Sequence, residues 1–272
     1  MDIGLFDSGI GGLTVLKELV SKFPNNRFIY LADTANLPYG NKTPEQILSY
    51  ADAKMKWMKD IGVDIVSIAC NTTDAILSKV DVSAYQRMFK NGIVNIIKPT
   101  ARGVLELKPA IKRIGVIATE ATTKSNAFNN AFQEISSDVK VITIPCPELV
   151  PWIESEDRDY EKGYKLISDY LEKLIGFEIQ GLIYGCTHYP LASDVIQNVL
   201  NKNSKSDVTL FNPAFFVSSE IERKVNFDTT IQGFEAKFFV TEISAAARLQ
   251  QAVKNLFGFI PEVQIADLKK YS

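Results

Sequence analysis

Two of the three cysteines occupy equivalent places in the pattern of the chain. Cys70 follows an apolar run at residues 65–69, and Cys186 follows another at residues 181–185. Each is followed by polar residues that favour the start of a helix. Because ligands of open α/β sheets bind beside the carboxyl ends of the strands, we expect both thiols at such an edge, flanking one cleft.

This pair of thiols predicts proton transfer at a carbon atom. A thiol has a reference pKa near ~8.5, closer to neutrality than that of an amine, and a helix N-terminus lowers it further. General acid–base catalysis is most efficient when the pKa lies near the working pH. Removing a proton from one face of a carbon and delivering one to the other needs two such groups. The sequence therefore predicts an amino-acid racemase with Cys70 and Cys186 as acid and base.

Each thiol also has a polar neighbour that could assist it. Asp7 and Ser8 end the first predicted strand and are expected beside Cys70, whereas His188 and Glu154 are expected beside Cys186. Hydroxyl groups at predicted strand ends could bind substrate carboxylates, and these belong to Ser8, Thr72, Thr119, Thr122 and Thr187. The segment Pro38-Tyr39-Gly40 is either a plain turn or a further source of backbone amides for a carboxylate.

Simpler interpretations apply to several of these residues. A single cysteine is most often a small buried hydrophobe, and this remains the interpretation of Cys146. A lone histidine is often structural, but His188 stands two residues after a candidate thiol. No cysteine pair has the short spacing of a zinc site, so no metal is expected. The glycine-rich residues 9–12 match no nucleotide-binding signature, and we expect a tight turn whose amides line the cleft.

Composition and charge argue against several other classes of protein. The chain has 272 residues, with 30 Lys and Arg against 32 Asp and Glu, a net charge of −2. A nucleic-acid binder or a membrane-surface protein would carry a basic surplus. The sequence has no apolar run of membrane-spanning length and no signal-peptide pattern at its start. The three widely spaced cysteines are typical of a reducing compartment, so a cytoplasmic location is expected.

Short apolar runs alternate with amphipathic segments, which indicates α/β architecture with parallel sheets. The chain also repeats itself weakly at a nearly constant offset, and the matching segments are 3–8 with 114–119, 27–32 with 140–145, and 68–72 with 184–188. We therefore expect two similar, pseudo-symmetric α/β domains, each with a mainly parallel sheet flanked by helices, with the active site in the cleft between them. The expected domains are residues 1–97 with 212–272, and residues 98–211.

Several motifs, spread over nearly the whole chain, resemble those of a known family. They are residues 6–15 (FDSGIGGLTV), 32–34 (ADT), 38–40 (PYG), 69–72 (ACNT), 115–119 (GVIAT), 146–151 (CPELVP) and 185–191 (GCTHYPL). In this combination they resemble the glutamate racemases of the aspartate/glutamate racemase family. The resemblance implies a cofactor-independent interconversion of L- and D-glutamate by a two-base mechanism, supplying D-glutamate for peptidoglycan synthesis.

The resemblance also implies a role for individual residues. Cys70 would act on the α-proton of D-glutamate and Cys186 on that of L-glutamate, with Asp7, His188 and Glu154 assisting the thiols. Together with the argument from hydroxyl groups, it places the substrate against Asp7, Ser8, Pro38, Tyr39, Gly40, Asn71, Thr72, Thr119, Thr122, Thr187 and His188.

The family resemblance also bears on binding partners and on three positions that differ from the family pattern. The resemblance implies a homodimer and leaves activation by a peptidoglycan precursor open; neither nucleic acid nor a membrane is an expected partner. Three positions depart from the family pattern: Lys98, Ala121 and Asn212. Two alternatives stay open: a racemase of another amino acid such as aspartate, and a non-catalytic or regulatory binding protein on the same scaffold.

Overall fold

The computed structural model describes residues 1–155, 157–203, 207–225 and 234–271. In chain order, the strands within these ranges are β1 (Asp2–Asp7), β2 (Arg27–Ala32), β3 (Ile65–Ile68), β4 (Ile93–Val94), β5 (Arg113–Ala118), β6 (Lys140–Pro145), β7 (Gly181–Gly185), β8 (Thr209–Phe211), β9 (Glu235–Val240) and β10 (Val263–Ile265). The α-helices within them are α1 (Leu13–Lys22), α2 (Pro44–Asp60), α3 (Asn71–Leu77), α4 (Ser83–Met88), α5 (Ile97–Leu107), α6 (Glu120–Ser125), α7 (Ala127–Gln133), α8 (Leu149–Ile153), α9 (Tyr160–Ile175), α10 (Ser193–Lys202), α11 (Pro213–Lys224) and α12 (Ala246–Phe257).

The strands form two sheets whose order repeats. The first sheet runs β10-β9-β2-β1-β3-β4 and the second runs β6-β5-β7-β8. The first four strands of each repeat thus take the same places, and every pairing is parallel. The predicted α/β class, with two parallel sheets flanked by helices, is confirmed.

The repeat extends to a glycine in the central strand of each sheet. Gly4 lies in β1 and Gly115 lies in β5, two residues into each strand. A Cβ at Gly4 would come within 2.8 Å of the Met58 sulfur, and one at Gly115 within 2.9 Å of Ile179. Glycine at this register therefore lets apolar side chains of the covering layer pack directly on each sheet.

One hydrophobic cluster of buried residues includes side chains from both sheets. Ile3 of β1, Val116 of β5 and Val217 of α11 belong to one buried cluster and are almost fully excluded from solvent. The strands β9 and β10 extend the first sheet beside β2. The division of the chain into residues 1–97 with 212–272 and residues 98–211 stays our proposal.

Two of the three departures from the family pattern have visible contacts. Asn212 caps α11, its side-chain oxygen accepting a hydrogen bond from the Ala214 amide at 3.1 Å, as an aspartate would. Lys98 forms an exposed ion pair with Glu134. Nothing in the structure explains Ala121.

Among the described residues, no helix has the length and apolar character needed to cross a membrane.

Candidate active site

A cavity of about 600 Å³ opens where strands of both sheets end. Its wall includes Ser8 after β1 and Cys70 after β3, and from the second sheet Thr119 after β5 and Cys186 after β7. This volume is in the range of small-molecule sites. The structure therefore brings the two predicted thiols, one from each repeat, to the same cavity.

Most of the predicted site residues line this cavity. They are Ser8, Pro38, Tyr39, Gly40, Cys70, Asn71, Thr72, Thr119, Glu154, Cys186, Thr187 and His188. Asp7 and Thr122 do not line it; both are buried behind the wall. The sequence analysis did not predict Arg248 and Glu120, which line the cavity. Cys146 also lines the cavity, although the sequence analysis interpreted it as a buried hydrophobe.

Cys70 occupies the N-cap of α3, where its sulfur accepts a hydrogen bond from the Thr73 amide at 3.5 Å. Burial, together with the negative charge of Asp7, raises the pKa of Cys70 to about 12. The Thr73 amide at the helix N-terminus lowers the pKa of this thiol, as expected, but the loss of hydration outweighs it. At neutral pH Cys70 carries its proton and is suited to donate it.

Cys186 has a cationic neighbour instead. Its sulfur lies 3.7 Å from His188 Nδ1, and His188 Nε2 lies 2.8 Å from Glu154 Oε1. Burial by itself lowers the pKa of His188, but hydrogen bonds to Cys186 and Glu154 and their negative charges outweigh it and raise the pKa to about 10. The His188 imidazolium therefore lies between the Cys186 sulfur and the Glu154 carboxylate.

Asp7 connects the glycine turn to the second sheet from behind the wall. Its Oδ2 accepts hydrogen bonds from the Gly12 amide at 2.7 Å and from the Thr187 hydroxyl at 3.3 Å. The Thr14 hydroxyl donates to the Thr187 carbonyl at 2.9 Å. Asp7 thus holds the residue that follows Cys186, and its charge also acts on Cys70, beside which it was predicted. It was also predicted to contact the substrate, but it does not line the cavity.

The side-chain amide of Asn71 is buried at the cavity without a partner. Within the described part of the chain, neither its nitrogen nor its oxygen has a hydrogen bond, and the residue is 2% exposed. Buried polar groups in folded proteins are almost always paired, and an unpaired one costs free energy. A ligand with both donors and acceptors would satisfy this amide.

Three hydroxyl groups meet between the two repeats. The Thr72 oxygen lies 3.0 Å from that of Thr119 and 3.4 Å from that of Thr122, and the Thr119 hydroxyl donates to Thr122 at 3.0 Å. Thr119 also caps α6. Thr122 therefore contributes by holding Thr119 and Thr72, which face the cavity.

A buried ion pair supports the loop that carries Tyr39. Lys54 Nζ lies 3.0 Å from Asp33 Oδ2 with both side chains fully buried, and it donates to the Tyr39 hydroxyl at 2.5 Å. The Tyr39 hydroxyl in turn donates to Asp33. Burial by itself raises the pKa of Asp33, but the charge of Lys54 and the hydrogen bond from Tyr39 outweigh it, so the pKa is lowered.

The described residues contain no cluster of three or more His, Cys, Asp or Glu side chains able to hold a metal ion.

Gly11 makes close contact across the two repeats, which yields a testable expectation. A Cβ at this position would overlap His188 Nδ1 and the Thr187 hydroxyl. Gly11→Ala should displace the imidazole from Cys186 and lower kcat/KM about 100-fold, because displacements near 1 Å at a reacting group have such effects. Steady-state kinetics of the reaction predicted from the sequence measure this. Gly176→Ala is the control, since its Cβ would meet open space; equal activity of both variants would contradict the assignment.

The raised pKa of His188 predicts a pH-dependent stability. The folded protein keeps a proton to a pH of about 10, whereas the unfolded chain releases it near the ordinary value of 6.5. The free energy of unfolding should therefore fall as pH rises from about 6.5 to about 10. Urea unfolding across this range measures the slope, and His188→Gln should make it shallower; an identical slope in this variant would contradict the shift.

Comparisons with known proteins agree on one group. The family model described as Asp/Glu/Hydantoin racemase matches residues 11–214. A curated glutamate racemase from Picosynechococcus sp. is 38% identical over 270 residues, covering 98% of this chain and 92% of its own length.

Two solved structures extend this similarity to the whole fold. A glutamate racemase isoform from Bacillus anthracis has a TM-score of 0.86 at 28% identity, covering 98% of this chain and 97% of the other. A glutamate racemase from Francisella tularensis, solved in complex with D-glutamate, has a TM-score of 0.84 at 30% identity, covering 99% and 98%.

Proposed function

Since the chain belongs to the Asp/Glu/Hydantoin racemase family, we propose that it interconverts L- and D-glutamate by moving the α-proton between Cys70 and Cys186. The observation that carries this proposal is the pair of thiols, one from each repeat, on the wall of a single cavity. Their surroundings differ: Cys70 is buried near a carboxylate, whereas Cys186 lies beside a histidine paired with Glu154. No cofactor is part of the proposed reaction.

The two surroundings define the roles in one direction of the reaction. With L-glutamate bound, Cys186 acts as the base: as a thiolate beside His188 it takes the α-proton and leaves a carbanion. The Cys70 thiol gives its proton to the opposite face, which completes D-glutamate. Cys186 is then a thiol and Cys70 a thiolate, which is the state needed to start from D-glutamate. Proton exchange with water returns the enzyme to its first state.

The polar wall of the cavity supplies the contacts for a dicarboxylate with one ammonium group. The Asn71 amide offers one donor group and one acceptor, and both are unpaired within the described chain. Hydroxyl groups are supplied by Ser8, Thr72, Thr119 and Thr187. The loop of Pro38, Tyr39 and Gly40 covers a further part of the wall, while Asp7 and Thr122 hold these groups from behind.

The cellular role is part of the same proposal. D-glutamate is a building block of peptidoglycan, so the product would supply cell-wall synthesis in the cytoplasm. We also propose that the protein forms a homodimer, and that a peptidoglycan precursor is the class of compound to test as an activator.

The optical activity of the amino acid tests this function directly. The purified protein, without added cofactor, is incubated with D-glutamate, L-glutamate, D-aspartate and L-aspartate in separate samples, and circular dichroism is followed. We expect the signal of both glutamate enantiomers to decay to zero. Decay with aspartate alone would identify a racemase of that amino acid. Inert samples, with and without peptidoglycan precursors, would favour the binding-protein alternative.

A further inference from the structure

Arg248, on the wall of the cavity, connects a helix packed on the first sheet to Glu154 of the second repeat. It lies in α12, which packs on α1 and β10 of the first sheet. Its Nη2 donates to Glu154 Oε2 at 2.8 Å and to the Glu154 carbonyl at 3.3 Å. Glu154 is the C-cap of α8, which follows the second sheet's strand β6. The arginine is half-exposed, whereas the carboxylate it contacts is mostly buried.

The two oxygens of Glu154 face different partners. Oε2 accepts from Arg248, and Oε1 lies 2.8 Å from His188 Nε2. The other nitrogen of the same ring lies 3.7 Å from the Cys186 sulfur. Successive contacts therefore connect Arg248 to Cys186 through Glu154 and His188, with cationic and anionic groups alternating along the series. Because a carboxylate held at one oxygen cannot turn freely, the arginine also determines where the other oxygen lies.

We propose that Arg248 is a positioning residue for the Cys186 half of the reaction: it holds the Glu154 carboxylate against His188 and thereby keeps the imidazole directed at the Cys186 sulfur. This inference rests on the proposed glutamate racemisation. The Cys70 half is supported differently, since nearby Asp7 is held by the Gly12 amide and the Thr187 hydroxyl. Loss of Arg248 should therefore affect proton transfer at Cys186 more than at Cys70.

Isotope effects can separate the two halves, although the rates alone cannot. The two enantiomers have equal free energy, so kcat/KM must fall by the same factor in both directions. Deuterium at the α-carbon of L-glutamate slows removal by Cys186, and deuterium in D-glutamate slows removal by Cys70. If transfer at Cys186 becomes more strongly rate-limiting, the isotope effect on kcat/KM rises for L-glutamate and falls for D-glutamate.

The pH profile gives a second measurement. Glu154 faces His188, Arg248 and, through the imidazole, Cys186. Burial by itself raises the pKa of Glu154, but His188 and Arg248 outweigh it, so the pKa is lowered. Without the arginine, the Glu154 carboxylate should take up its proton at higher pH. The acidic limb of the pH profile of kcat/KM should therefore shift to higher pH. A purely structural role of Arg248 would leave this limb in place.

The variants for this test are Arg248→Met and Arg248→Lys. A hydrogen-bonded charge of this kind is expected to contribute a factor of about 10 to 100, so Arg248→Met should lower kcat/KM by that factor. Arg248→Lys should recover part of the loss. Arg223→Met is the matched control, because Arg223 is similarly exposed and pairs with Glu106 of α5 and Glu220 of its own helix α11, and neither helix lines the cavity.

Two results would overturn the inference while the proposed function stands. One is full activity of Arg248→Met. The other is a loss of activity in Arg248→Met with isotope effects and acidic limb equal to those of the wild-type protein. An inactive wild-type protein would instead contradict the proposed function. Urea unfolding of each variant separates a folding defect from the expected change, and Arg248→Lys supplies the isotope effects if Arg248→Met does not fold.

Discussion

Replacing either cavity thiol of the proposed pair by serine is expected to reduce kcat/KM for glutamate racemisation by about 10²- to 10⁴-fold. A serine hydroxyl fits the space of a thiol, but its much higher pKa makes it a poor base and a poor acid near neutrality. Cys70→Ser and Cys186→Ser each remove one of the two proton carriers. Circular dichroism of the glutamate enantiomers measures the loss in both directions.

The two variants should differ in the exchange that remains. Cys186→Ser keeps the thiol that acts on D-glutamate, and Cys70→Ser keeps the thiol that acts on L-glutamate. Each should therefore exchange the α-proton of one enantiomer with solvent without inverting it. Cys146→Ser is the matched control, because this third buried thiol also lines the cavity but has no proposed part in catalysis. Activity retained in Cys70→Ser or Cys186→Ser, or lost equally in Cys146→Ser, would contradict the assignment.

The largest expected effect on stability comes from Lys54. Its ammonium group is fully buried and compensates the equally buried carboxylate of Asp33 at 3.0 Å. Lys54→Met leaves that carboxylate without its counter-charge, which should lower the free energy of unfolding by about 3–5 kcal/mol. The Tyr39 hydroxyl also loses its contact with the ammonium group, so the substrate KM should rise. Urea denaturation and steady-state kinetics measure the two effects.

A double substitution tests whether the buried charge is the cause. Asp33→Asn keeps an oxygen able to accept from Thr241, which donates to Asp33 Oδ1 at 2.9 Å. Lys54→Met combined with Asp33→Asn removes both charges and should be more stable than Lys54→Met alone. A double variant that loses as much as the two single variants together would show that packing, and not the ion pair, dominates at this position.

The fold and the thiol positions could be predicted because they depend on local patterns. Parallel strands buried on both faces have continuous apolar runs, and the residues that follow them collect at one edge of a sheet. Cys70 and Cys186 follow β3 and β7, the third strand of each repeat. This correspondence is visible in the sequence as the matching segments 68–72 and 184–188.

The sequence could not predict in the same way whether a side chain at a strand end faces the cavity or is buried behind the residues that line it. Asp7 is the last residue of β1, but its carboxylate is directed to the Gly12 amide and to Thr187 behind the cavity. Thr122 stands one helical turn after Thr119 and contacts that hydroxyl from the buried side. Both orientations follow from packing between the repeats, which the strand pattern does not contain.

Properties that depend on distant residues were also missed. Arg248 meets Glu154 across 94 positions of sequence, and nothing near either residue indicates the pairing. Lys54 has one signal, since it falls among the buried positions of α2, where an unpaired lysine would be unusual. The pKa of Cys70 depends on burial, a tertiary property, and burial reverses the shift that its place at a helix N-terminus suggests.

The central claim, proton transfer by two separate thiols, is tested most directly in heavy water. D-glutamate is incubated with the enzyme in ²H₂O, the reaction is stopped at low conversion, and NMR reads the α-position of each enantiomer. Two bases predict deuterium in the newly formed L-glutamate while the remaining D-glutamate keeps its proton, because Cys186 delivers solvent-derived deuterium to the face that Cys70 does not touch. Deuterium appearing in the remaining D-glutamate as fast as in L-glutamate would contradict the account and indicate a single base serving both faces.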